Sequence, residues 1–270
     1  MPQIGEYLES IFSLEGKVIL LTGAAGGIGE AFARGLAAAG GDVAMCDINI
    51  QLCGEIAAEL EKEDRSAKAY ELNVTDLDSI KKCVASVLAD FGKIDVLINC
   101  AGINKREGLL DVEEETYDRI MGINLKGAFL LSQEVVKHMI TRKQGNIINI
   151  CSHNDEGMLG GCSVYGATKS GLRALTRSMA VEWAKHGIRA NALSPGHIIT
   201  PLTTVTWDHP TRSVYLRDRI AMQRPGKPEE LIGICIMLAS DASSYMSGQA
   251  YHVDGGCLCG GTPWEFDTVY

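Results

Sequence analysis

Three residues in the run CSHNDEGMLGGCSVYGATK, from Cys151 to Lys169, have the types and spacing for proton transfer at an oxygen. Tyr165 and Lys169 are four residues apart, so on a helix they share one face, one turn above the other. Ser152 follows the apolar run Ile148 to Ile150, where a strand should end and a hydroxyl can meet the tyrosine across a cleft. Free tyrosine has a pKa of ~10, so shedding its proton near pH 7 costs ~4 kcal/mol. An ammonium ~5 Å away at an effective dielectric of ~20 returns roughly 3 kcal/mol. The placement and the magnitude both suit a tyrosine acid/base, although a Y-x-x-x-K match by itself recurs by chance.

The elements that must hold these residues alternate regularly. Continuous apolar runs, the mark of strands buried on both faces, occur at KVILLT, DVAMCD (Asp42 to Asp47), VLIN (Val96 to Asn99) and NIINI. AKAYEL, RANALS (Arg189 to Ser194) and AYHVD add three more. Helical patterns fall between them, at about Ile28–Ala39, Ile50–Glu63, Leu125–Ile140 and Pro228–Leu238. Another reaches about Phe91 from a cap in the Thr75–Asp78 region, and one carries Tyr165 to about His186. Such alternation implies right-handed β-α-β units, hence an α/β, doubly wound, mostly or wholly parallel sheet of about seven strands. No linker interrupts it, so residues 1–270 read as one domain. Residues 1–16 form a helical arm expected to pack on something, 197–227 form a loop with one helix, and 257–270 form a tail. Ligands bind such sheets outside the strands' carboxyl ends, where the glycine cluster, Asn99, Ser152 and Pro195-Gly196 should converge.

TGAAGGIG, Thr22 to Gly29, joins the first strand to the first helix. Glycine there permits a tight turn and lets the backbone, with the helix N-terminal N–H groups, approach a pyrophosphate. The spacing is Gly23-x-x-x-Gly27-x-Gly29 rather than the common G-x-G-x-x-G. Asp47 ends the second strand 18 residues after Gly29, near the ~20 expected of an acid holding ribose hydroxyls. Its charge opposes a 2′-phosphate, and no Arg or Lys lies in the glycine loop or beside Asp47 to offset it. The expected cofactor is therefore NAD rather than NADP.

The net charge of −9 argues against nucleic acid or an anionic membrane as partner. No apolar stretch approaches the ~20 residues of a spanning helix. The first residues carry three glutamates and no signal-peptide core. Nine cysteines, an odd number mostly set in apolar runs (Cys46, Cys83, Cys100, Cys235), read as reduced buried thiols of a cytoplasmic protein. Cys257 and Cys259 lack a second pair at zinc spacing, so no metal is expected.

TGAAGGIG, NCAG (Asn99 to Gly102), Ser152, YGATK and SPG (Ser194 to Gly196), in this order and spacing, resemble the short-chain dehydrogenase/reductase family. The resemblance runs from about Phe12 to Gly256. It implies a Rossmann fold and reversible hydride transfer between a nicotinamide and an alcohol or carbonyl. Tyr165 would be the acid/base, and Lys169 would bind the nicotinamide ribose and favour the phenolate, aided by the cationic oxidised nicotinamide. Ser152, thirteen residues before Tyr165, would hold the substrate oxygen, which sets Ser163 aside. The backbone carbonyl of Asn124 would anchor a relay water. Gly23, Gly27, Ile28 and Gly29 would line the pyrophosphate, with Asn99, Ala101 and Gly102 near the adenosine ribose. The stretch after Pro195 and Gly196, with Ile198 and Thr200, would clasp the nicotinamide amide. One position departs: Asn73-Val74 stands where Asp-Val is usual, so an amide oxygen would replace a carboxylate against adenine.

Substrate specificity should lie after Ser152 and in the 197–227 loop. His153, Asn154, Asp155, His197, Trp207, His209 and Tyr215 give a polar pocket with one or two flat surfaces. That suits hydroxyls better than a steroid or fatty chain. The pattern is similar to family members acting on sugars, polyols and sugar acids. The family also implies a homotetramer, and Trp264 and Phe266, costly to expose on an acidic tail, are expected to pack on a neighbouring subunit. A ketoacyl reductase using NADPH would want a basic docking patch. A non-catalytic nucleotide binder would be expected to lose Ser152, Tyr165 or Lys169, and all three are present.

Overall fold

The computed structural model describes residues 4–201 and 203–261. Seven strands form one sheet: β1 Val18–Thr22, β2 Asp42–Asp47, β3 Ala67–Glu71, β4 Val96–Asn99, β5 Gly145–Ile150, β6 Ile188–Pro195 and β7 Ala250–Val253. Their order is β3-β2-β1-β4-β5-β6-β7, and every pairing is parallel. The doubly wound, seven-stranded expectation holds. The order reverses between β1 and β4, which opens a crevice at their carboxyl ends.

Side chains alternate across each strand and so load both faces. Ile19 and Leu21 of β1 join Phe32, Leu36, Ile56, Leu60 and Cys235 in one core. Val18 and Leu20 join Ile80, Val84, Leu131, Val135 and Met179 in the other. The first layer comes from helices α2 (Gly27–Ala38), α3 (Ile50–Lys62) and, later in the chain, Ile232–Ala239. The second comes from α4 (Leu77–Phe91), Ala128–Arg142 and Ser163–Trp183. Asn49 caps α3 through Leu52 N, and Asp76 caps α4 through Asp78 N and Ser79 N. No side chain caps α2, whose first turn faces the crevice.

The amino ends of the strands are stapled separately. The buried Asp95 carboxylate accepts from Val18 N at 2.9 Å and Arg142 Nη2 at 2.7 Å, with Lys93 Nζ at 3.0 Å. Burial opposes its charge, but these donors outweigh that penalty and hold its carboxyl below the usual range.

Outside the sheet the details differ. The arm forms a helix, α1 (Ile4–Phe12), which lies against the turn at Asp241–Ser243 with Ile11 and Phe12 half-buried, whereas Ile4, Tyr7 and Leu8 are exposed. The short helix expected between Asn99 and Leu125 is present as α5 (Glu114–Met121), but a π turn at Gly122–Gly127 follows it and α6 (Ala128–Arg142) starts later than Leu125. After α7 (Ser163–Trp183), the 197–227 segment holds two short helices, α8 (Thr204–Trp207) and α9 (Pro210–Asp218), with α10 (Ile232–Ala239) beyond it. The tail aromatics Trp264 and Phe266 lie outside the described residues.

Candidate active site

The carboxyl ends of the strands enclose one cavity of about 630 Å³. Asp47, Ile48 and Leu52 line one end, Trp207 and Leu216 the other, and Ser152, Tyr165 and Lys169 lie between.

Steric contacts require glycine in the tight turn after β1. Gly23 has φ +68, and a Cβ there would stand 2.9 Å from Ala101 Cα and N. A Cβ on Gly29 would strike the Gly23 carbonyl. Together with the uncapped start of α2, this leaves bare backbone N–H groups facing the cavity, the anion-binding arrangement of a helix N-terminus. Asp47 joins this loop to β2: Oδ2 accepts from Ala25 N at 3.0 Å and Oδ1 from Asn49 N at 2.9 Å. A carboxylate oxygen accepts more than one bond, so both remain able to take ribose hydroxyls.

Lys169 is 4% exposed, and its Nζ donates to the Ile150 carbonyl at 2.7 Å. The same Nζ lies 5.5 Å from the Tyr165 ring centroid. The end of β5 thus aims the ammonium, and α7 sets the phenol beside it. Ser152 Oγ accepts from Asn154 N at 3.2 Å, which leaves its own hydrogen for another acceptor. Burial pushes the neighbouring Cys100 and Cys151 thiols up to about 12, only partly offset by Lys169, so neither supplies a thiolate.

Asp155 fixes the loop after Ser152. Its side chain accepts from Ser194 Oγ, meets His252 Nε2 at 3.0 Å and Arg173 Nη1 at 3.5 Å, and its carbonyl accepts from Ser170 Oγ. One residue thereby ties the Ser152 loop to β6, β7 and α7.

This geometry matches known proteins along most of the chain. A family model described as Enoyl-(Acyl carrier protein) reductase matches residues 23–257. The chain belongs to the short-chain dehydrogenase/reductase family. Gluconate 5-dehydrogenase of Gluconobacter oxydans is 38% identical over 246 residues, 91% of this chain and 96% of that one. A 3-oxoacyl-(acyl-carrier-protein) reductase of Thermotoga maritima is 41% identical over 247 residues, 91% of this chain and 99% of its own. Among solved structures, a gluconate 5-dehydrogenase from Burkholderia cenocepacia in complex with NADP and tartrate superposes with TM-score 0.90. It is 37% identical and covers 93% of this chain and 98% of its own.

Most residues assigned from the dehydrogenase motifs line the cavity: Gly23, Gly27, Ile28, Gly29, Asp47, Asn73, Val74, Ala101, Gly102, Pro195, Gly196, Ile198 and Thr200. Asn99 does not. As the last residue of β4 its side chain points beneath the crevice, donating to Asn149 Oδ1 at 2.8 Å and Ser132 Oγ at 2.9 Å. The next residues, Cys100 to Gly102, form the wall instead. The Asn73 oxygen expected to meet adenine already accepts from Thr75 N and Thr75 Oγ1, so it serves a local turn.

At the Trp207 end His153, Asn154 and His197 also line the cavity, whereas Asp155, His209 and Tyr215 do not. His209 Nδ1 instead caps α9 through Thr211 N and Arg212 N. Burial lowers the pKa of His153 and, with His153 and Arg106 nearby, lowers that of His197 to about 3. Both imidazoles are neutral at pH 7. Arg106 also lines the cavity and was missed from the sequence, where NKREG carries no periodic or motif signal.

Asn124 is buried within the π turn, and it brackets Ile103: Oδ1 accepts from Ile103 N and Nδ2 donates to Ile103 O, both at 2.8 Å. Nδ2 also reaches Thr168 Oγ1, one residue before Lys169. Its side chain therefore locks the cavity wall to α7, and π turns recur at functional sites. Asn124→Ala is expected to cut kcat by roughly 10²-fold, the cost of a misplaced constellation, with a native circular dichroism spectrum. Unchanged kcat would remove Asn124 from the machinery.

Proposed function

We propose that the protein interconverts a secondary alcohol and a ketone on a small sugar acid, polyol or keto-sugar, with NAD as its preferred cofactor. The reading is carried by the polar substrate end of the cavity. Asn154 Oδ1 and His197 Nε2 are buried there without hydrogen-bond partners among the described residues. An unpaired buried polar atom costs about 1–3 kcal/mol, which substrate hydroxyls would relieve and a lipophilic ketone would not. Arg106 offers a guanidinium suited to a carboxylate. The gluconate dehydrogenases among its relatives support the same class. A chain of net charge −9 is a poor surface for an acidic carrier protein, which disfavours the ketoacyl alternative.

The nicotinamide, when bound, supplies or takes up the hydride. Tyr165 gives its phenolic proton to the substrate oxygen during reduction and takes one back during oxidation. Ser152 donates a hydrogen bond to that same oxygen and orients it. Lys169 places a positive charge beside the phenol, favouring the state in which the proton has left. Asn124 and the π turn hold the opposite wall and supply the backbone carbonyl for a relay water.

The preference for NAD rests on Asp47. Among the described residues lining the cavity, the full cations are Arg106 and Lys169, and no Arg or Lys adjoins Asp47. The adjoining hollow sets Arg119 against Glu114, Glu115 and Asp118, leaving it net acidic. Assembly as a homotetramer and a cytoplasmic location belong to the same proposal. Among the described residues no helix is long and apolar enough to cross a membrane.

Two measurements test this. NADH formation over a panel of sugar acids, polyols and lipophilic alcohols should be fastest with a sugar acid, and Arg106→Ala should raise KM for the acid about 10-fold or more without touching neutral polyols. Turnover confined to lipophilic alcohols would end the proposal. Separately, kcat/KM with NAD should exceed that with NADP, and Asp47→Ala should narrow the gap. A preference for NADP in the unaltered protein would overturn the cofactor assignment.

A further inference from the structure

The ends of β5, β6 and β7, adjacent in the sheet, bring together a cluster that the sequence spacing does not reveal. His153 follows β5, His197 follows β6 and Cys257 follows β7. One ligand atom from each lies within 4.8 Å of the others. The two imidazole rings are 4.6 Å apart between centroids at 60°. We propose that His153, His197 and Cys257 form a binding site for a borderline-soft divalent cation such as zinc, which blocks the substrate end of the cavity.

The donor set is right for this class: two imidazoles and one thiol are ligands that zinc and its neighbours favour over calcium or magnesium. Tetrahedral zinc, with bonds of about 2.0 Å to nitrogen and about 2.3 Å to sulfur, needs these ligand atoms about 3.3–3.5 Å apart, a contraction of up to about 1.5 Å from the outer limit here. Ring nitrogens are also available for it. His153 Nδ1 faces the Pro195 carbonyl at 3.4 Å and donates to it, so Nε2 keeps the lone pair. That is the second-sphere arrangement that commonly fixes a ligating histidine. His197 Nε2 is buried with no partner among the described residues. Three protein ligands leave a fourth position on the metal, and both histidines line the cavity. The other cluster, Asp155, Glu156 and His252, differs because Arg173 already pairs with both of its carboxylates.

Occupancy removes His197 and His153 from substrate and leaves the nucleotide end untouched. Inhibition should therefore compete with the alcohol or ketone and not with NAD. That competition rests on the substrate reading above, whereas metal binding itself does not.

The full-length chain, stripped with chelator, is titrated with cobalt(II) in the absence of substrate and cofactor. A thiolate-to-cobalt charge-transfer absorption at one equivalent is expected, absent in Cys257→Ala and retained in Cys259→Ala. In a parallel assay zinc should raise the apparent KM for the substrate about 10-fold or more at constant kcat, reversibly with chelator. Cys257→Ala should keep basal activity and weaken zinc inhibition by about tenfold or more. No charge-transfer band, a band retained in Cys257→Ala, or zinc inhibition unaffected by Cys257→Ala would overturn the proposal. A band that appears as expected while sugar acids prove inert would leave the metal site standing and the substrate assignment refuted.

Discussion

The site depends on one buried charge. Lys169 is almost wholly enclosed, and its ammonium would cost several kcal/mol there without compensation. The Ile150 carbonyl provides the visible compensation, and the Tyr165 ring lies beside it. One donor position of the ammonium is committed to the end of β5, and the remaining donors are left for the cavity that Lys169 lines. The same commitment sets the register of α7 against the sheet and therefore the position of the phenol. Chemistry and packing share one contact, so the end of β5 has little freedom to move without cost to both.

The rest of the molecule divides this labour by the direction of its strands. At their amino ends, Asp95 gathers Val18, Lys93 and Arg142 into a fixed staple. At their carboxyl ends the polar groups stay partly unmatched, as with Asn154 Oδ1 and His197 Nε2. Unsatisfied polarity is a poor way to stabilise a fold and a good way to recognise a hydroxylated ligand. Asp155 makes that compromise tolerable by tying the Ser152 loop to three neighbouring elements through its own fully used carboxylate.

Much of this was legible in the residues. Strands buried on both faces read as continuous apolar runs, so VILLT and VLIN were recognisable and the parallel sheet followed. Tyr165 and Lys169 were legible because a helix places them one turn apart whatever surrounds it. Asn99 was misplaced because its motif names a position and not a direction. Strand alternation turns its side chain toward its register partner Asn149, under the crevice. The π turn at Gly122–Gly127 left no mark in the sequence pattern, since π and α geometry draw on the same residues. Arg106 and the approach of Cys257 to two histidines depend on loops and on strand order, which local spacing does not encode.

The central claim is that Tyr165 moves the proton under the influence of Lys169. The most direct test is Tyr165→Phe, which removes one oxygen and preserves the ring. Steady-state NADH formation should fall by roughly 10²-fold or more, the usual weight of a positioned acid/base. NADH affinity, read by fluorescence, should stay within about twofold, since the ribose, pyrophosphate and adenine contacts remain. Turnover preserved within a few-fold in that variant would contradict the account.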